Sequence, residues 1–345
     1  MAPNSIQNDE GLGVEVQPEN LTPPKLTQIR HKILYVNLTY FLYWHLAAPY
    51  GIYLCFTSVK WETIIFGFVV FLAAELGVTA GAHRLWSHKS YKAKRPLEII
   101  LMLFNSMAFQ NSIIHWARDH RLHHKYCDTD ADPYNASRGF FYSHVGWLLT
   151  KKNKEVLKRG KTIDASDLFN NPVLQFQKKY AIPVFALCCF ILPTAIPMYV
   201  WGETLNYSWH ANLLRYTINL NVTFLVNSAA HIWGYRPYDK SIYPAQNVYV
   251  SLVTLGEGFH NYHHVFPWDY KTAELGNNKL NVTTWFINFF TKLGWAYDLK
   301  TVSNEIVRAR AMRTGDGKDL WGWNDKDITD MDMEHTDILY SKTED

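Results

Sequence analysis

Residues 61–88 read WETIIFGFVVFLAAELGVTAGAHRLWSH, an apolar run that ends on two histidines. Between Trp61 and Ala82 only Glu62 and Glu75 carry charge. About 20 mostly apolar residues are enough to cross a bilayer as a helix. His83 and His88 follow at once, in the spacing HxxxxH. The segment therefore predicts a membrane helix that delivers imidazoles just beyond its end.

Working outward, three more runs have the same character: residues 34–57, 180–201 and 209–232. The links Ser58–Lys60 and Gly202–Ser208 are short, so the four runs pair into two hairpins. Lys and Arg concentrate in the long segments 83–179 and 233–345. The positive-inside rule puts both of these on the cytosolic side. The expected fold class is thus an all-α integral membrane protein with four transmembrane helices. Pro183, Pro193 and Pro197 predict kinks in the third span. The shorter stretch Leu97–Phe109 reads as an interfacial or buried helix. The chain divides into a polar segment 1–33, a membrane domain 34–315 and a charged tail 316–345 that is expected to be partly disordered. The first thirty residues hold Pro18, Pro23 and Pro24 and no apolar core, so both termini are expected in the cytosol.

Composition excludes some functions. A net charge of +3 on 345 residues is too small to argue for nucleic acid. The four cysteines, Cys55, Cys127, Cys188 and Cys189, form neither a disulfide framework nor a zinc knuckle.

The histidines carry the chemistry. His83 and His88 form one box. His120, His123 and His124 form HxxHH, and His260, His263 and His264 repeat it. Asn227 and His231, four residues apart, share a helix face. One such box would mean little; three, all beside the ends of predicted spans, point to a metal centre. Imidazole suits iron, zinc and copper. Nine imidazoles exceed the needs of one ion, and a structural zinc site would be rich in cysteine, so two metals are expected. Glu257 and His260 match the Glu-x-x-His of soluble di-iron bundles once, without the second copy those need. Glu257 is instead expected to accept a proton from a ligand imidazole, as are Asp119 and Asp128.

GAHRLWSH (81–88), WARDHRLHHKY (116–126), NSAAH (227–231) and GEGFHNYHH (256–264) resemble the membrane acyl-CoA desaturases of the stearoyl-CoA desaturase family. The resemblance runs through about residues 30–315. It implies four transmembrane helices under a cytosolic helical cap, in the endoplasmic reticulum membrane. It also implies a di-iron centre (two Fe2+) on His83, His88, His120, His123, His124, His231, His260, His263 and His264, with Asn227 acting through water. Electrons would come from cytochrome b5, reduced by NADH cytochrome b5 reductase, and O2 would be the oxidant. Fatty acyl-CoA contacts would fall to Asn37, Gln110, Asn111, Trp116, Arg118 and Asp119, with Lys151 and Lys152 at the CoA phosphates. Glu75, a costly intramembrane carboxylate, would shape or cap the blind end of the acyl tunnel.

A narrower likeness exists. IYLCFTS (52–58), KWETIIF (60–66), NNPVLQFQKKYA (170–181) and Tyr243-Pro-Ala-Gln246 resemble moth pheromone-gland Δ11 desaturases, although that group usually has leucine where Tyr243 stands. The expected reaction is therefore Δ11 desaturation of a saturated acyl-CoA. The alternatives are a Δ9 housekeeping desaturase and a histidine-box hydroxylase. A membrane metal carrier would place its ligands within the spans rather than beyond them.

Overall fold

A computed structural model describes residues 32–273 and 280–316. The expected segment 1–33, apart from its last two residues, and the tail beyond Asp316 lie outside the described residues. Helix α1 spans Tyr35–Thr57. Helix α2 begins at Trp61 and runs unbroken to Ser87, its stretch Gly77–Ser87 wound as a π-helix. Helices α3 (Arg95–Ala108) and α4 (Ile113–Lys125) meet at an 83° bend. Helix α5 covers Ala181–Trp201, and α6 covers Leu205–Asn227. After a break at Ser228 the short α7 (Ala229–Ile232) follows, and α8 (His260–Val265) carries the last box.

Among the described residues, α2 and α5 are long and apolar enough to cross a membrane, and the bent pair α3–α4 passes the same test if taken together. The sequence-based expectation was four spans. Helices α1 and α6 have the length, 23 residues each, but α6 carries Asn212, Arg215 and Asn219 and α1 carries Asn37 and His45. Apolar side chains still cover the outside of α1, where Tyr35, Leu46, Tyr53 and Phe56 are exposed. Faces of this kind suit lipid rather than water.

Local chemistry sets each helix end near the site. Gly77 lets α2 press against α3, because a Cβ there would strike the backbone of Phe104 and Asn105. The π-helical winding beyond it is a device frequent at functional sites. It carries His83 into the protein interior at the same time as Arg84, which is fully buried. Ser228 interrupts α6 outside ideal helical geometry, and its hydroxyl bonds Phe224 O and faces His144 Nδ1. That break aims α7, and with it His231, at the interior. A core of Leu97, Leu101, Ile113, Leu168, Leu174 and Ile287 locks α3 and α4 against the segments around residues 168–174 and 287. One two-stranded antiparallel pair, Lys92–Ala93 with Ala296–Tyr297, ties the end of the first box to the carboxyl-terminal region.

Candidate metal centre and acyl cavity

The structure brings all nine boxed histidines together, in two groups. His83, His88, His120, His124 and His263 form one, and His123, His231, His260 and His264 form the other. In each group the nitrogens available for coordination lie within 4.8 Å of one another. The HxxHH boxes thus split between the groups: α4 sends His120 and His124 one way and His123 the other, and α8 divides likewise. The pairs four residues apart, His120 with His124 and His260 with His264, keep to one face, whereas His123 and His263 turn to the other group.

Carboxylates hold several rings from behind. His83 Nδ1 lies 2.9 Å from Glu257 Oε2, His123 Nδ1 lies 2.8 Å from Asp132 Oδ2, and His231 Nδ1 lies 2.9 Å from Asp128 Oδ2. A carboxylate facing Nδ1 keeps the proton there and leaves Nε2 as a bare lone pair, the arrangement that orients metal-ligating imidazoles. Those Nε2 atoms converge. His83 and His263 approach to 2.9 Å, His263 and His124 to 3.0 Å, and His231 and His260 to 3.0 Å. Octahedral neighbours bonded at about 2.1 Å sit about 3.0 Å apart, and tetrahedral ones about 3.4 Å. The spacing is that of neighbouring donors that could share one ion. His123 Nε2 is buried with no hydrogen-bond partner and points into the second group, so the donor set fits a cation.

Electrostatics agree. Burial first, then the crowding of neighbouring imidazoles, holds His88, His260, His263 and His264 well below the usual histidine range. They are neutral bases at physiological pH, with lone pairs that could take a cation. Burial alone would raise the Glu257 carboxyl, but Arg84 and His83 more than offset it and hold it at about 2. Arg84 reaches Glu257 Oε1 through Nε at 3.0 Å and through Nη2 at 2.8 Å. Its Nη1 donates to Tyr270 O and Thr284 Oγ1.

Three placements differ from the sequence reading. Asp119 does not back a box histidine: it pairs with Lys152 and sits 3.5 Å from His115 Nε2. Asp132, which does back one, went unread, although it follows the second box in the acidic run DTDAD (128–132). Arg84, inside the first box as HRLWSH, has no role in the sequence reading, yet it is buried against Glu257. Asn227 ends α6 beside the four-histidine group's His231 and lines the cavity described next.

That cavity has a volume of about 930 Å³, at the upper end for ligand sites. Its mouth is polar, with Asn37, Asn111, His115, Asp119 and Lys152. Its middle passes Trp116, His83, His120 and Asn227, and its far end is walled by Phe185, Phe190, Trp209 and Leu213. Gln110 and Glu75 also line it, Glu75 at the level of Thr223. Asn37 donates to Leu148 O at 2.8 Å, fixing α1 at the mouth. Arg118 lies 3.6 Å from Asp119, and Lys151 is exposed beside the mouth; neither lines the cavity.

Residues 60–273 match the model of the fatty acid desaturase family. The chain belongs to that family. The desaturase is 64% identical to an acyl-CoA Delta(11) desaturase of Trichoplusia ni over 96% of each chain. It is also 64% identical to an acyl-CoA Delta(11) desaturase of Spodoptera littoralis, over 93% of this chain and 95% of the relative. An acyl-CoA Delta-9 desaturase of Acheta domesticus is 56% identical over 91% of this chain and 88% of its own.

Proposed function

We propose that this desaturase introduces a Δ11 double bond into a saturated fatty acyl-CoA, using O2 and a pair of irons held by the nine boxed histidines. The single observation that carries the reading is the cavity. It runs from a polar mouth past the rings of His83 and His120 into an aromatic, apolar end. An acyl chain threaded there presents its middle, not its head or tail, to the histidines. The two Delta(11) relatives at 64% identity favour Δ11 over Δ9.

The irons would supply the oxidising power that no side chain has, since an unactivated methylene offers nothing for acid–base chemistry. His83, His88, His120, His124 and His263 would hold one, and His123, His231, His260 and His264 the other, with Asn227 completing the smaller set through water. Glu257, Asp128 and Asp132 hold the Nδ1 protons of His83, His231 and His123, which keeps each Nε2 turned inward. Trp116 stacks on His120, with ring centroids 5.0 Å apart, and walls the cavity beside it. At the mouth, Lys152, with Lys151 nearby, meets the CoA phosphates, while Gln110, Asn111 and Asp119, which line the cavity, hold the thioester end. The aromatic end excludes water and sets the depth to which the chain enters.

In this reading α1, α2, α5 and α6 would be four spans of a membrane domain over residues 34–315, and the site and both termini would face the cytosol at the endoplasmic reticulum membrane. Cytochrome b5, reduced from NADH, would deliver electrons there. Expression in desaturase-deficient yeast fed saturated acids of 14, 16 and 18 carbons tests the reading by mapping double bonds. A Δ11 olefin supports it. A Δ9 olefin returns the chain to the housekeeping class, and a hydroxy acid overturns the reaction.

A further inference from the structure

We propose that Glu75 is a positioning residue that fixes where the acyl chain bends past the histidines, and hence which carbon–carbon bond is oxidised. The proposal rests on the acyl-CoA desaturase reading above. Glu75 sits in an otherwise apolar stretch of α2 and is 1% exposed. Its Oε1 accepts from Asn219 Nδ2 at 2.5 Å and lies 3.2 Å from Thr223 Oγ1. Thr223 Oγ1 in turn accepts from Gln110 Nε2 at 2.8 Å. The chain of contacts therefore joins α2, α6 and the α3–α4 corner. Glu75, Thr223 and Gln110 all line the cavity, so the contacts form a polar bar in the wall of a largely apolar tunnel. Thr223 stands one helical turn, about 6 Å, before Asn227 on α6, so the bar lies next to the histidine-lined section.

The corner is built to present Gln110. Its two neighbours, Phe109 and Asn111, are both left-handed, at φ 46° and 78°. Non-glycine residues adopt that conformation at a cost, and persist in it where the surroundings enforce it. Here Arg215 Nη1 holds Met107 O at 2.9 Å, and Gln177 Oε1 accepts from Ile113 N at 2.9 Å, one anchor on each side of the corner. A saturated chain makes no hydrogen bond to the bar and must bend around it. Polar groups satisfied by one another form a fixed wall, because moving any of them strands a buried partner. Glu75 is the member from which Asn219 and Thr223 are held.

The test compares wild type with Glu75→Gln, Glu75→Leu and Glu75→Leu/Asn219→Leu in membranes of desaturase-deficient yeast. The readout is the distribution of double-bond position and Z/E geometry, normalised to each variant's own total product so that abundance drops out. Gln retains an acceptor for Asn219 and Thr223 and is expected to keep the wild-type distribution. Glu75→Leu is expected to lower the ratio of major to minor positional isomer about tenfold, the discrimination an ordinary hydrogen bond supplies. The double variant removes the stranded amide and is expected to show the same shift. Glu75→Asp, one methylene shorter, shifts the distribution in the same direction and covers the case in which the leucine variants do not accumulate. A wild-type distribution in every non-conservative variant that accumulates would reduce Glu75 to a staple between helices and overturn the proposal. Absence of olefin from the wild type would instead sink the desaturase reading on which it rests.

Discussion

Replacing Glu257 by glutamine probes the link between the buried carboxylates and metal binding. Glu257 accepts two bonds from Arg84 on Oε1, and its Oε2 faces His83 Nδ1 at 2.9 Å. Glutamine has one oxygen and a donor NH2 of the same size. If the oxygen stays with Arg84, the NH2 faces the Nδ1–H of His83, donor against donor. His83 then relaxes by moving its proton to Nε2, which removes that nitrogen as a ligand. Loss of such a supporting contact costs about 10–100-fold in metal affinity, or about 1.4–2.7 kcal/mol. Arg84 keeps Tyr270 O and Thr284 Oγ1, so the loss of fold stability stays within about 1–3 kcal/mol. The assay is metal content per chain by plasma mass spectrometry, after dialysis against a graded series of chelator. The expected outcome is that one of two metals leaves Glu257→Gln at about 10–100-fold lower chelator strength, while the four-histidine group holds its own. Retention of both metals across the wild-type range would refute the reasoning, because Glu257 would then orient nothing.

Other predictions follow from the same geometry. Arg121 grips Asp167 through two contacts of 2.8 and 2.7 Å and also donates to Ser87 O and Trp86 O, tying α4 to the first box. Burial would raise the Asp167 carboxyl, but Arg121 and Lys89 lower it below its ordinary 3.8. Its contribution to stability is therefore present above pH 3.8 and fades as pH falls through the depressed value. Asp167→Asn should lower Tm by about 1–3 °C at neutral pH, with the difference from wild type vanishing in acid; a gap that widens in acid would contradict this. Lys151→Ala/Lys152→Ala should raise KM for acyl-CoA about 3–10-fold with kcat retained, and added salt should shrink the effect. An unchanged KM would remove these lysines from the CoA contact. Leu213→Trp narrows the far end of the cavity and should raise the ratio of 14- to 18-carbon products at least about tenfold, read by gas chromatography of total acyl chains. A constant ratio would mean that the chain end does not reach Leu213.

The metal centre was legible in the sequence because coordination chemistry forces residue type and spacing together. His83, His88 and the two HxxHH boxes declare themselves wherever they sit in the fold. Their division into groups of five and four was not legible, because it depends on which face of α4 and α8 looks which way. Arg84 was missed because its partner, Glu257, is far away in the chain, and Asp132 because the turn that brings it back onto His123 leaves no periodic signal. The hydrophobic runs located α2 and α5 to within a few residues, because lipid demands an unbroken apolar surface. They were less informative for α6, whose Asn212, Arg215, Asn219 and Asn227 face inward toward protein and cavity. Its end was also misplaced, since the break at Ser228 serves His231 rather than any rule of helix propensity.

On the proposed function, the cavity presents carbons 11 and 12 of an acyl-CoA beside His83 and His120 for removal of hydrogen. The most direct measurement uses the purified desaturase reconstituted with NADH, cytochrome b5 and its reductase. The substrate is palmitoyl-CoA deuterated at carbons 11 and 12, under isotopically labelled O2. The account predicts an olefin that has lost one deuterium from each of those carbons, with no labelled oxygen in the lipid. A hydroxylated product carrying the label, or an olefin with every deuterium retained, would contradict it.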